Sequence, residues 1–70
     1  MKLSARNVFP GKVTDVKKGA VAAEVQVDIG GGHVITSTIT VSSAERLQLA
    51  TGSKVSVVVK ASDVILGVDD

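Results

Sequence analysis

From Val21 to Ile29 the chain alternates with a period of two: Val21, Ala23, Val25, Val27 and Ile29 on one side, Ala22, Glu24, Gln26 and Asp28 on the other. That period marks a half-buried β-strand, and the branched Cβ of Val and Ile favours strand over helix. Gly30-Gly31-Gly32 follows, a turn free of Cβ restrictions, so His33 to Thr40 reads as the returning arm of a hairpin. Leu3 to Lys18 is also extended in character but is interrupted by Pro10-Gly11, which predicts either two short strands or one long strand bent there. Downstream, Lys54 to Lys60 sets Val55, Val57 and Val59 against Ser56 and Val58, and Asp63 to Val68 predicts a final short strand.

Between the hairpin and these last strands, Ser42-Ser43-Ala44-Glu45 has the spacing of a capping box. Ser42 is the expected N-cap and Glu45 its partner, opening a short helix through about Leu49 that Gly52 closes. The expected fold is therefore all-β, a five-stranded OB-like barrel with one short helix between strands 3 and 4. Residues 1–70 read as a single domain without linker, repeat or low-complexity tract.

A domain of 70 residues hides only about 60% of the surface that its unfolded chain exposes. Its only aromatic residue is Phe9, so the core must be built from Val, Ile, Leu and Ala, each of which buries little area. Small domains gain stability from disulfides, metals or oligomerisation. With no Cys and a single His, self-association is the expected route. The longest apolar run falls far short of the roughly 20 residues that span a bilayer, and the N-terminus lacks the apolar stretch of a signal peptide, so a soluble, cytoplasmic protein is expected.

Eight basic residues against seven acidic ones leave a net charge of +1, with only Lys17-Lys18 adjacent. A single-strand nucleic-acid binder of the OB type stacks bases on aromatic residues along a basic groove, and this chain has neither. A pterin or other planar cofactor would also want aromatic stacking. The seven carboxylates form no recognisable catalytic pair, and His33 reads as a solvated turn residue rather than a proton-linked switch, so no enzyme is expected. Zinc and calcium sites need clustered ligands that are absent from the sequence.

Donors for an anion occur in three places. Ser4-Ala5-Arg6-Asn7 offers a hydroxyl and a guanidinium two residues apart, which places them on one face of a strand. Lys60-Ala61-Ser62 repeats the device with an ammonium. Thr40-Val41-Ser42-Ser43 gathers hydroxyls where strand becomes helix and free N–H groups point outward. With Ser42 taken as the cap, Thr40 and Ser43 are spare donors. The bland alternatives are polar strand faces and plain helix capping, and a bare oligomerisation module in which Arg6 and Lys60 pair with acids across an interface remains a competing reading. The three units meet on one anion only if the fold or an oligomer brings them together.

At these residues the chain resembles the Mop, or molbindin, family and the related TOBE-type molybdate domains of ModE regulators and molybdate-transporter ATPases. The marks are Ser4-Ala5-Arg6-Asn7, Phe9-Pro10-Gly11-Lys12-Val13, Gly19-Ala20-Val21 with Ala23-Glu24-Val25, Ile35-Thr36-Ser37 with Ile39-Thr40, and Lys60-Ala61-Ser62-Asp63-Val64. The resemblance implies a homohexamer, a trimer of dimers, that stores molybdate or tungstate between subunits. Carried over, one subunit gives Ser4, Arg6, Lys60 and Ser62 with the backbone of Ala5 and Ala61, and another gives Thr40 and Ser43. A second class of site would use backbone groups of Gly19, Ala20 and Val21; many relatives carry Asn where this chain has Ala22, so that side-chain contact is absent here.

The chemistry agrees with the implication. Molybdate is a tetrahedral dianion whose four oxygens only accept hydrogen bonds, and every group in the set donates. Phosphate, partly protonated near neutrality, would lack an acceptor for its proton, and an unpaired buried donor costs about 1 to 3 kcal/mol. Sulfate differs chiefly in size.

Overall fold

The computed structural model describes residues 1–69. Its strands are β1 (Asn7–Lys18), β2 (Ala22–Gly30), β3 (His33–Thr40) and β4 (Lys54–Val59); the helix α1 (Val41–Arg46) lies between β3 and β4, and a short 3-10 turn covers Ala61–Asp63. All four strands form one antiparallel sheet in the order β3-β2-β1-β4. The predominantly β character and the helix between the third and fourth strands are as the sequence predicts. The closed five-stranded barrel is not formed: among the described residues the sheet is open, and the residues of the expected fifth strand, Asp63 to Val68, lie outside it. These residues pair with no strand of the sheet, and their apolar side chains find no cover on it: Ile65, Leu66 and Val68 are 92%, 89% and 92% exposed.

β1 is one strand, and Pro10-Gly11 does not divide it. Its lower half pairs with β4, from Asn7↔Val59 to Lys12↔Lys54, and its upper half with β2, from Lys12↔Asp28 to Lys18↔Ala23. Pro10 therefore has a ladder neighbour, Ser56, on one flank only, and a strand with one open flank tolerates a missing N–H. The irregularity lies higher, where the register shifts between Val13 and Asp15. A bulge of this kind increases local twist and lets one long strand serve two neighbours.

Gly11 is required by close approach. A Cβ there would lie 2.5 Å from Val27 Cγ1 and 3.1 Å from the carbonyl oxygen of Asp28. The side chain of Val27 belongs to the core and the carbonyl to the ladder, so neither yields cheaply. Gly11→Ala is expected to destabilise the fold by about 1 to 3 kcal/mol, read as a lowered urea midpoint at fixed protein concentration.

The core is thin, as the composition requires. Val13, Val25 and Val27 form its buried centre, with Val16, Ile29, Ile39, Leu49, Val55 and Val57 half-buried around it. Ala23 and Ala44 are also buried, the latter where α1 covers the sheet. Val21, expected on the same face, precedes β2 and is exposed. Beside this core an apolar groove of about 200 Å³ stays open, lined by Ile35, Ile39, Leu49, Val55 and Val57 among others.

The helix boundaries differ from expectation at both ends. Thr40, not Ser42, is the N-cap: it is extended (φ −71°, ψ 151°), and its Oγ1 accepts the Ser43 N–H at 3.0 Å. Pairing of Thr40 with Ala22 keeps β3 extended to that residue, so the helix begins two residues earlier than the Ser42 frame predicts. The helix also stops before Leu49. Gln48 takes the left-handed conformation at φ 54°, and its N–H reaches Glu45 O while that of Leu49 reaches Ala44 O, the paired bonds of a Schellman close. Gly52, the expected terminator, instead turns the chain into β4 and donates to Val13 O at 2.7 Å.

Candidate functional site

The β1–β4 ladder decides where two of the three donor units stand. Its last pair is Asn7↔Val59, so Arg6 immediately precedes β1 and Lys60 immediately follows β4 at the same end of the sheet. Ser4-Ala5-Arg6 and Lys60-Ala61-Ser62 thus leave one edge together, although they lie at opposite ends of the sequence. Neither is a strand segment, so the shared strand face expected for each pair of donors is not formed. Ser4 lies in a bend, and residues 61–63 form the 3-10 turn, closed by Asp63 N–H to Lys60 O at 2.9 Å. Ser4, Arg6, Lys60, Ala61 and Ser62 are exposed and Ala5 is half-buried.

Thr40 and Ser43 stand elsewhere. Thr40 pairs with Ala22, next to the Lys18 end of β1, on the opposite edge strand. The twelve residues of β1, at about 3.3 Å each, separate the two ends by on the order of 30 Å along a curved strand. One chain does not bring the three units together.

Thr40 and Ser43 are not spare, because each holds the other. Thr40 Oγ1 accepts the Ser43 N–H and donates to Ser43 Oγ at 2.9 Å. The hydroxyl proton of Ser43 is left free to point outward, polarised by the bond it accepts. Thr40→Ala is expected to cost about 1 kcal/mol as a lost N-cap, whereas Ser42→Ala, exposed and without a capping bond, should stay within about 0.5 kcal/mol of the parent; parallel urea titrations separate them.

Gly19, Ala20 and Val21 form the β1–β2 turn, with Gly19 N–H bonded to Ala22 O at 2.8 Å and Val21 O accepting from Val41 N–H at 2.7 Å. They adjoin the Thr40 cap and lie at the far end from Arg6 and Lys60. His33 is exposed at the start of β3 beside the glycine turn, as expected of a solvated turn residue. Among the described residues no three His, Cys, Asp or Glu side chains gather as a cation site, and no helix is long and apolar enough to cross a membrane.

One pair of cations is not visible in the sequence. Lys12 and Lys54 stand directly opposite each other on β1 and β4. Only the long-range register reveals it, since no local period connects residues so far apart in the chain.

The fold and its donors define a small, predominantly β binding module with one short helix. It belongs to the TOBE domain family, which matches residues 3–66, and its relatives are the Mop proteins. A "Probable molybdenum-pterin-binding protein" of Haemophilus influenzae is 42% identical over 69 residues, 99% of this chain and all of that one. Among solved structures, MopII from Clostridium pasteurianum superposes with a TM-score of 0.90 at 45% identity, covering 96% of this chain and all of that one. The cytoplasmic molybdate-binding protein ModG, in a form with molybdate bound, superposes with a TM-score of 0.83 at 54% identity, over 87% of this chain and 43% of the ModG chain.

Proposed function

We propose that this chain is a molybdate-binding protein that holds the oxyanion between copies of itself and catalyses nothing. Molybdate is the ligand of two structural relatives by their own description, ModG and a molybdate-binding protein from Sporomusa ovata, and tungstate, nearly the same size, is expected to bind comparably. The observation that carries the interfacial reading is the separation of the donors. Arg6 and Lys60 leave the sheet at one end while the Thr40–Ser43 pair caps the other, so a complete set requires a second copy. Ser4, Arg6, Lys60 and Ser62, with the backbone of Ala5 and Ala61, then face Thr40 and Ser43 of a neighbour, where the Ser43 hydroxyl donates to the anion and Thr40, whose own proton is on Ser43 Oγ, holds it in place. The cation pair matches a dianion in charge, and hydroxyl and amide donors match its acceptors.

Assembly is proposed as a homohexamer, a trimer of dimers, of single domains covering residues 1–70. Support for a partner comes from the open groove beside Val55 and Val57 and from the exposed apolar arm Val64–Val68. An arm from a second copy entering the groove would supply the fifth strand of the barrel. The turn Gly19, Ala20 and Val21 is the second class of anion site, near the symmetry axis, with the N–H groups of Ala20 and Val21 as its donors, since that of Gly19 is bonded to Ala22 O. A cytoplasmic store or buffer of molybdenum is the role that fits a module without other chemistry. The names of several relatives include pterin; the bare oxyanion is favoured here because Phe9 is the one aromatic residue and it lies in β1 beside Val57.

Native mass spectra of the protein alone, with molybdate, with excess sulfate and with a free pterin test the reading. A species near six chain masses that gains molybdate but neither sulfate nor pterin is expected. A monomer, or an oligomer indifferent to molybdate, overturns it.

A further inference from the structure

Lys54 opens β4, an edge strand of the sheet, and its one cross-strand neighbour is another cation, Lys12. Like charges directly opposite in an antiparallel ladder are unfavourable. The acid on the other side of Lys12 is Asp28, whose Oδ1 already accepts the Gly30 N–H at 2.8 Å. Both lysines are exposed beside an open cleft with Gly11, Asp28, Gly30 and Val55 in its wall. The exposed apolar arm of the same chain runs into Asp69, followed in sequence by Asp70. A pair of cations at an edge strand, with one carboxylate beside them on β2, and an acidic stretch that follows an exposed apolar arm in the sequence are complementary in charge.

We propose that the acidic tail of one copy docks on Lys12 and Lys54 of a second copy and so fixes the direction and register in which the arm is received. This rests on the proposed self-assembly and adds its polarity: the apolar residues Ile65, Leu66 and Val68 supply contact, and Asp69 with Asp70 selects one orientation. Without such a lock a short apolar arm with few side chains is prone to slip along the groove. The plain alternative is that Lys54 is a solvated guard that keeps an edge strand from aggregating.

The experiment measures assembly of the full chain by sedimentation and native mass spectrometry in low and high salt, with molybdate binding followed in parallel. Four proteins are compared: the parent, Lys54→Glu, Asp69→Lys with Asp70→Lys, and the three changes combined. Each charge reversal is expected to weaken assembly about tenfold in low salt. The combination restores it to within a factor of about three, and high salt shrinks all the differences. The tail variant alters no described sheet residue, so its effect cannot come from misfolding. A tail reversal without effect, or a combination that rescues nothing, overturns the lock and leaves Lys54 as an edge guard. A parent that remains monomeric with and without molybdate removes the assembly reading itself, and the lock with it.

Discussion

Alanine at Arg6 is expected to lower molybdate affinity by a hundredfold or more while the assembly survives. The guanidinium is the one group in the set that can give two parallel hydrogen bonds to a tetrahedral oxyanion, and charge-assisted bonds contribute about 1.5 to 3 kcal/mol each. Two such bonds exceed the roughly 2.7 kcal/mol that corresponds to a hundredfold change in affinity. Arg6→Lys is expected to recover only part of the loss, because an ammonium keeps the charge but not the planar fork. Isothermal titration with molybdate, beside sedimentation of the same samples, reads both quantities. The competing scaffold reading predicts the reverse order: if Arg6 served only to pair with an acid across an interface, its removal would weaken assembly. Arg6 is exposed and precedes β1, so removing its side chain opens no core cavity. Retained assembly with lost binding therefore identifies an anion ligand, and retained binding excludes Arg6 from the site.

Local patterns in the sequence carried most of the sheet and little of the site. The hairpin from Ala22 to Thr40 was legible because a period of two and a glycine turn are both short-range signals. The helix was legible in position but not in frame. Thr40-x-x-Ser43 and Ser42-x-x-Glu45 are overlapping capping patterns, and the pairing of Thr40 with Ala22 chooses between them. Its close at Gln48 was hidden because a non-glycine residue in the left-handed region carries no sequence mark. The segment from Asp63 to Val68 reads as strand because it is apolar and extended in character, yet composition cannot say which sheet it joins. For the donors, residue type was informative and proximity was not. Arg6 and Lys60 come to one end only through the β1–β4 ladder, and the same ladder sets Lys12 against Lys54.

Replacing Ile65 and Leu66 together by Asp is expected to abolish assembly at micromolar protein concentration. In the single chain these side chains are about nine-tenths exposed, so the change removes nothing from the chain's own core. Full burial of each in a partner's groove is worth about 1.5 to 3 kcal/mol. Two residues on each of two reciprocal arms then supply on the order of 6 to 12 kcal/mol before ordering costs, against the roughly 8 kcal/mol that a micromolar dissociation constant represents. Two buried carboxylates per arm would reverse that gain. Molybdate binding should fall with assembly, because the Thr40–Ser43 half of the donor set is then no longer supplied. The monomer should keep its β-type circular dichroism, melt lower than the parent and lose the concentration dependence of its melting temperature. Exchanging the same residues for Leu and Ile keeps the apolar volume and should leave assembly nearly intact. An Asp double variant that still assembles and binds would show that the arm is surface and that another face joins the copies. The outer-face pair Val8 and Val58, both exposed, is then the next place to introduce a charge.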